Sequence, residues 1–268
     1  MSKQLREFTV NDSGVSPVIG MILILAIVTV SIGIIYTAGI PMIENAKLRA
    51  HQQNIQNSFS VLHGDIEEVV RGPITGAGTA RTTTISMDGG TLAVLPNNTR
   101  IEVRYNDGTT TTLSWSPGTT GYEYKNRIVA YENGAVFTTY PDGSIMEQEP
   151  LIYAGKLRGS NVGVMIHVIN ISGTNTSASG KGKGQVRTFA SGDGISKIFS
   201  GEVNSIYINI TSQNYNAWDT YLRTTFMNSG ATYTSTFPSD DTVAAVITNP
   251  GFSLSLSIHE TKIESVVW

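Results

Sequence analysis

The chain has 268 residues, a net charge of −3 from 18 basic and 21 acidic side chains, and no cysteine. The lack of cysteine excludes disulfides, thiolate catalysis and cysteine-ligated metal sites. Basic residues are scattered along the sequence, which argues against a nucleic-acid-binding surface.

The first predicted element is a long apolar segment at residues 15–43. The 26 residues from Val18 to Ile43 carry no charge. A helix of this length spans roughly 39 Å, which exceeds the roughly 30 Å hydrocarbon core of a bilayer. A secretory signal peptide is the first alternative, but its apolar core has only about 7 to 15 residues. A buried core helix is the second, but the polar chain that follows offers no partner helices to bury it. We therefore expect a membrane-spanning helix, in which Pro41 causes a kink or ends a turn.

The residues at the start of this segment carry a recognisable motif. From Gly14 the chain reads GVSPVIGMILILAIV, in which Ser16 can cap a helix and Pro17 is tolerated in its first turn. This run resembles the N-terminus of archaeal type IV pilins. The resemblance implies that residues 1–14 are a leader, which a prepilin peptidase removes by cutting between Gly14 and Val15. The pilin motif itself would consist of Ser16, Pro17, Val18, Ile19 and Gly20.

The same resemblance implies how the helix is used. In this family the apolar helix is first held by membrane lipid and then forms the core of a filament with copies of itself or with other pilin subunits. The large domain then lies outside the cell.

Residues 44–72 predict an amphipathic helix, which Gly72 and Pro73 end. Its apolar side chains fall within an arc of about 100° on a helical projection. They are Leu48, Ile55, Phe59, Leu62, Ile66, Val69 and Val70. Such a stripe favours packing against the β domain of the same chain. The alternative is a coiled-coil stalk, which would have only about three heptads and a polar Gln52 in the stripe.

Residues 73–268 predict a β-rich domain, because apolar residues alternate and turn signals recur about every ten residues. The fold class is therefore α+β, with a long N-terminal helix followed by an antiparallel, β-sandwich-like domain. We expect a hairpin of residues 81–87 and 91–95 around Asp88-Gly89-Gly90, one strand at 122–131, and one helix at 214–227. Further strands are expected at 100–105, 109–115, 135–140, 144–147, 163–171, 185–190, 205–211, 231–237, 242–248 and from 252 onwards.

No set of residues has the spacing of a catalytic or metal site, so we expect no enzyme activity, no cofactor and no metal. The histidines are expected to be structural or at the surface: His51, His63, His167 and His259. Gly180–Gly184 reads GKGKG, which lacks phosphate-loop spacing and indicates a mobile loop. Four aspartates precede glycine and indicate turns rather than calcium ligands: Asp88, Asp107, Asp142 and Asp193.

Sequons provide a further indication of an extracellular domain. The candidate N-glycosylation sites are Asn97, Asn170, Asn175 and Asn209, and Asn11 matches within the leader. Two functions stay open at this point. The first is a pilin-like filament subunit. The alternative is a permanently anchored β domain that binds a carbohydrate or a protein, in which Trp115, Tyr122 and Tyr124 would stack on sugars unless they are core residues.

Overall fold

A computed structural model describes residues 17–72, 79–159, 161–174 and 176–268, without the side chains of residues 192 and 193. The chain divides into two compact units, Met1–His51 and Gln52–Trp268. Several sequence predictions fall outside the described residues. They are the leader, the cleavage site Gly14–Val15, the capping residue Ser16, the predicted helix end at Pro73 and the sequon residue Asn175.

The first unit contains an apolar helix. Helix α1 covers Pro17–Ile34, a π-helical turn follows at Ile35–Gly39, and helix α2 covers Ile40–Arg71 and continues into the second unit. The irregularity expected at Pro41 is therefore a π turn just before the proline, and the helix does not end there. In this π turn the backbone N–H of Ile40 donates a hydrogen bond to the carbonyl of Ile35, five residues back. Such a turn accommodates a residue that has no N–H to donate.

The second unit is a β domain with one further helix, α3, at Tyr215–Ser229. Its strands among the described residues are β1 Ala80–Leu95, β2 Arg100–Asn106, β3 Thr110–Trp115, β4 Thr119–Tyr124, β5 Arg127–Glu132, β6 Ala135–Tyr140, β7 Gly143–Gln148, β8 Ile152–Lys156, β9 Val162–Ser172, β10 Thr176–Val203, β11 Ser205–Thr211, β12 Thr232–Ser239, β13 Thr242–Thr248 and β14 Leu254–Val267. The class α+β is confirmed.

The strands form two sheets. The larger has the order β7-β6-β5-β4-β1-β10-β14-β9-β8, and the smaller has the order β12-β13-β11-β2-β3. Pairing is antiparallel except between β9 and β14, which run parallel. The sequence did not predict this pair, because alternation reports burial and not strand direction.

Two apolar cores hold these layers together. One core joins the smaller sheet, α3 and the larger sheet, as in β11, where Ile206, Ile208 and Ile210 are buried in alternation. The other lies between the larger sheet and the second half of α2. In β9 the two cores use opposite faces: Val168 belongs to the first core, and its neighbour Ile169 belongs to the second.

Three local predictions were wrong. Asp88-Gly89-Gly90 is a bulge within one long strand and not a hairpin turn: three steps along β1, from Asp88 to Thr91, oppose two along β10. The extra residue keeps Met87 and Leu92 on the same buried face. Residues 122–131 are two strands, β4 and β5, joined at Lys125–Asn126, where both φ angles are positive. Gly180–Gly184 lies inside β10 and pairs with β1, so it is not a loop.

Candidate functional site

The first candidate site is the exposed apolar helix. In the part of the first unit that the structure describes, every residue from Pro17 to Ile43 is exposed except Gly20 and Gly39, which are half-buried. The most apolar 18-residue window has a mean hydropathy of 3.0, and none of it is buried. The segment contains 14 Ile, Leu and Val residues. At roughly 1.5 to 3 kcal/mol each, removing them from water is worth about 20 to 40 kcal/mol.

The polar side chains of this helix make their hydrogen bonds within the helix itself. The hydroxyls of Thr29, Ser31 and Thr37 donate to the carbonyls four residues back, at 2.8, 2.7 and 2.8 Å. In a hydrocarbon environment a polar group has no water to bond, so bonds within the helix remove most of its cost. By length and composition this helix can cross a membrane, and a signal sequence meets the same two criteria.

The described residues of the predicted pilin motif form the first described turn of this helix. The described part of the helix starts at Pro17, and Val18 and Ile19 are 65% and 52% exposed. No atom outside the local helix backbone lies within 4 Å of the position that a Cβ on Gly20 would occupy, so this glycine is open to a neighbouring surface.

The second half of α2 attaches the helix to the β domain. Six of the seven predicted stripe residues are buried in the α2 core, and Leu48 is half-buried: Ile55, Phe59, Leu62, Ile66, Val69 and Val70 are at most 3% exposed. Packing on the chain's own β domain is therefore confirmed for the stripe from Ile55 onwards.

Polar contacts explain why Gln52 interrupts the stripe. Its amide donates to the Tyr140 hydroxyl at 2.8 Å and accepts from Arg127. One turn later, Gln56 donates to Thr138 at 3.0 Å and to Glu147 at 2.9 Å.

The described sequon residues differ in accessibility. Asn97 is exposed at a tight turn with φ 53°. Asn170 is half-buried within β9 and donates to Glu260 at 3.0 Å, and Asn209 is half-buried in β11, inside the smaller sheet. The turn at Asn97 is therefore the most open acceptor among them.

The aromatic residues considered for sugar stacking do not form a surface. Trp115 and Tyr122 are 8% and 2% exposed and belong to the first and second core, and Tyr124 is half-buried against the second core. The core interpretation is correct for Trp115 and Tyr122. The alternation of the sequence could not distinguish core residues from sugar-stacking surface residues, since an aromatic side chain in a strand suits either face of the sheet.

A buried carboxylate was missed by the sequence analysis. Glu132, at 2% exposure, accepts from Trp218 Nε1 at 2.7 Å, from Ser212 at 2.8 Å and from Asn214 at 3.3 Å. Burial raises the pKa of Glu132, and these donors oppose that shift. Since Asn214 directly precedes α3, the carboxylate fixes the start of this helix against β5. Its role is structural.

Two histidines also meet in a way that the sequence did not reveal. His167 and His259 are paired on the parallel strands β9 and β14, with ring centroids 6.0 Å apart. His167 bonds the Thr261 hydroxyl at 2.8 Å, and His259 bonds Ser257 at 2.8 Å. Burial, with a smaller contribution from His259, lowers the pKa of His167 to about 4. Among the described residues, no group of three or more His, Asp or Glu side chains could hold a metal ion.

Together these features define the class of protein: an α+β chain with one apolar N-terminal helix that can span a membrane and a mostly antiparallel β domain. The chain belongs to a family of unknown function, DUF7289, whose family model matches residues 14–264. The match includes both the apolar helix and the β domain. No curated protein and no solved structure matches the chain.

Proposed function

We propose that this protein is a pilin-like structural subunit of an archaeal type IV pilus or a related surface filament. The observation that carries the proposal is the exposed apolar helix from Pro17 to Ile43, which continues as the α2 stripe packed on the β domain. An apolar surface of this size needs lipid or other apolar helices around it. The motif that resembles the pilin N-terminus stands at the first turn of the same helix.

The proposed mechanism has two stages. A prepilin peptidase hydrolyses the Gly14–Val15 amide. The C–N bond breaks, the oxygen of one water molecule completes the carboxylate of Gly14, and a proton from that water completes the free amine of Val15. The bilayer then holds the helix until assembly replaces its lipid contacts with contacts between helices of neighbouring subunits. Before assembly the protein is a single-span membrane protein whose β domain lies outside the cell, and a glycan on Asn97 fits that location.

The mature N-terminus tests this proposal. Intact mass and terminal sequencing of protein from the cell surface should give a chain that begins at Val15, and electron microscopy of the same fraction should show filaments that contain it. A surface-exposed chain that begins at Met1 or Ser2 and stays in the membrane fraction would contradict the proposal. It would instead support a permanently anchored domain that binds a partner.

A further inference from the structure

A groove lies between the edge strand β7 and helix α3, within the second unit. Its volume is about 380 Å³. The helix contributes four residues at spacings of three, four and seven, which places them on one face: Ala217, Thr220, Tyr221 and Thr224. The opposite wall is formed by Ser144, Ile145, Met146 and Glu149.

The strand wall is the unpaired edge of a sheet. Strand β7 ends the nine-stranded sheet, and its only strand partner among the described residues is β6. An edge strand has backbone N–H and C=O groups that can pair with another extended chain. Among the described strands, two of the other three edges carry features that hinder such pairing, since β12 contains Pro238 and β8 ends at Lys156. The third edge, β3, carries neither feature but does not line this groove. Strand β7 contains neither proline nor lysine, and its Ile145 is 55% exposed.

The helix wall is held in place and needs few further hydrogen bonds. The Tyr221 hydroxyl donates to the Ile152 carbonyl at 2.7 Å, which fixes the ring at the groove. Thr220 and Thr224 donate to carbonyls of their own helix, at 2.9 and 2.8 Å. The helix therefore offers a pre-formed and largely apolar surface, while the unpaired hydrogen-bonding groups belong to the strand. A ligand that matches both walls has a regular extended backbone and apolar side chains.

The size and charge of the groove restrict this ligand further. From Ala217 to Thr224 the helix rises about 10.5 Å, the length of about three residues of an extended strand. Glu149 is exposed and is the only charged residue of the lining. Electrostatic complementarity therefore favours a basic side chain at that end.

We propose that the groove between β7 and α3 binds an extended peptide segment of a partner protein, which adds to β7 as a further strand. Its apolar side chain packs against Tyr221 and Met146, and a neighbouring Lys or Arg lies at Glu149. This inference does not depend on leader cleavage or on filament formation, because every residue it uses belongs to the β domain.

The test uses the full-length protein in detergent micelles and a fluorescein-labelled hexapeptide of sequence TVTVKT. Fluorescence anisotropy should show saturable binding. The same peptide with N-methylated backbone amides should bind about thirtyfold more weakly, the factor that corresponds to two lost hydrogen bonds at about 1 kcal/mol each. Equal binding of the methylated peptide, or no saturation up to millimolar peptide, would overturn the proposal.

Matched variants locate the site on the protein. Thr224→Trp fills the groove from an exposed helix position and should abolish binding. Met227→Trp, on the same helix but outside the lining, should not change it. Glu149→Lys should weaken binding of TVTVKT about threefold, the effect of an exposed ion pair, and should favour the peptide TVTVET instead. Equal effects of the two tryptophan variants would show that the peptide binds elsewhere.

Discussion

Replacement of Phe59 tests whether the helix is anchored to the β domain through its stripe. Phe59 is fully buried in the core between α2 and the larger sheet. Phe59→Ala removes a buried ring and leaves a cavity, which costs about 3 to 5 kcal/mol of unfolding free energy. Val61, two residues further on, is 58% exposed, so Val61→Ala should change that free energy by less than about 0.5 kcal/mol.

Urea unfolding of the full chain in detergent micelles measures the difference. The protein's three tryptophans, Trp115, Trp218 and Trp268, all lie in the β domain and report its unfolding. With a denaturant slope of about 3 kcal/mol per molar urea, Phe59→Ala should lower the midpoint by about 1 to 1.7 M. If Phe59→Ala and Val61→Ala have the same midpoint, the stripe does not stabilise the β domain and the anchoring argument is wrong.

Three further predictions concern the β domain. A Cβ on Gly90 would overlap the Tyr122 ring and lie 2.6 Å from the Glu123 carbonyl oxygen, so Gly90→Ala should lower the unfolding free energy by about 1 to 3 kcal/mol in the same urea assay. A Cβ on Gly155 would have no atom within 4 Å, so Gly155→Ala should leave the unfolding free energy nearly unchanged. The folded pKa of His167 is about 4, below its ordinary value of 6.5, so its contribution to the unfolding free energy is complete above about pH 6.5 and is lost as the pH falls to about 4. His167→Gln should remove up to about 3 kcal/mol of this decline in unfolding free energy. Identical pH profiles of the two proteins would refute the prediction. Asn97→Asp keeps a residue that tolerates positive φ and should remove one glycan from the surface protein, seen as a lower intact mass; an unchanged mass would show that this sequon is unoccupied.

Long periodic patterns were sufficient to predict much of this fold. Patterns that repeat over two or more helical turns predicted the stripe from Ile55 to Val70 and helix α3. A pattern that alternates over several residues predicted strand β11. The hairpin turn between β5 and β6 also has a local cause in the sequence, because Asn133 and Gly134 both tolerate the positive φ that they adopt there.

The wrong predictions share a physical cause. At Asp88-Gly89-Gly90 the local sequence is compatible with both a turn and a bulge, and the choice is made by the partner strand β10, about ninety residues away. At Lys125–Asn126 the lysine adopts positive φ only because the flanking strands impose a two-residue turn. The Glu132 network and the pairing of His167 with His259 likewise depend on side chains that are distant in sequence. Such contacts leave no periodic signal in a single chain.

The glutamines in the packed part of the N-terminal helix bond the β domain, whereas the hydroxyls before Pro41 bond their own helix. Before Pro41, the hydroxyls of Thr29 and Thr37 donate to carbonyls of their own helix. From residue 52 onwards, Gln52 and Gln56 instead bond side chains on strands of the β domain. A polar group that bonds only its own helix is suited to a surrounding without donors or acceptors, whether lipid or the apolar faces of other helices. The helix is therefore exposed in its apolar part and packed on the β domain in its later part, while its backbone stays helical. The proposed filament subunit would need such an arrangement.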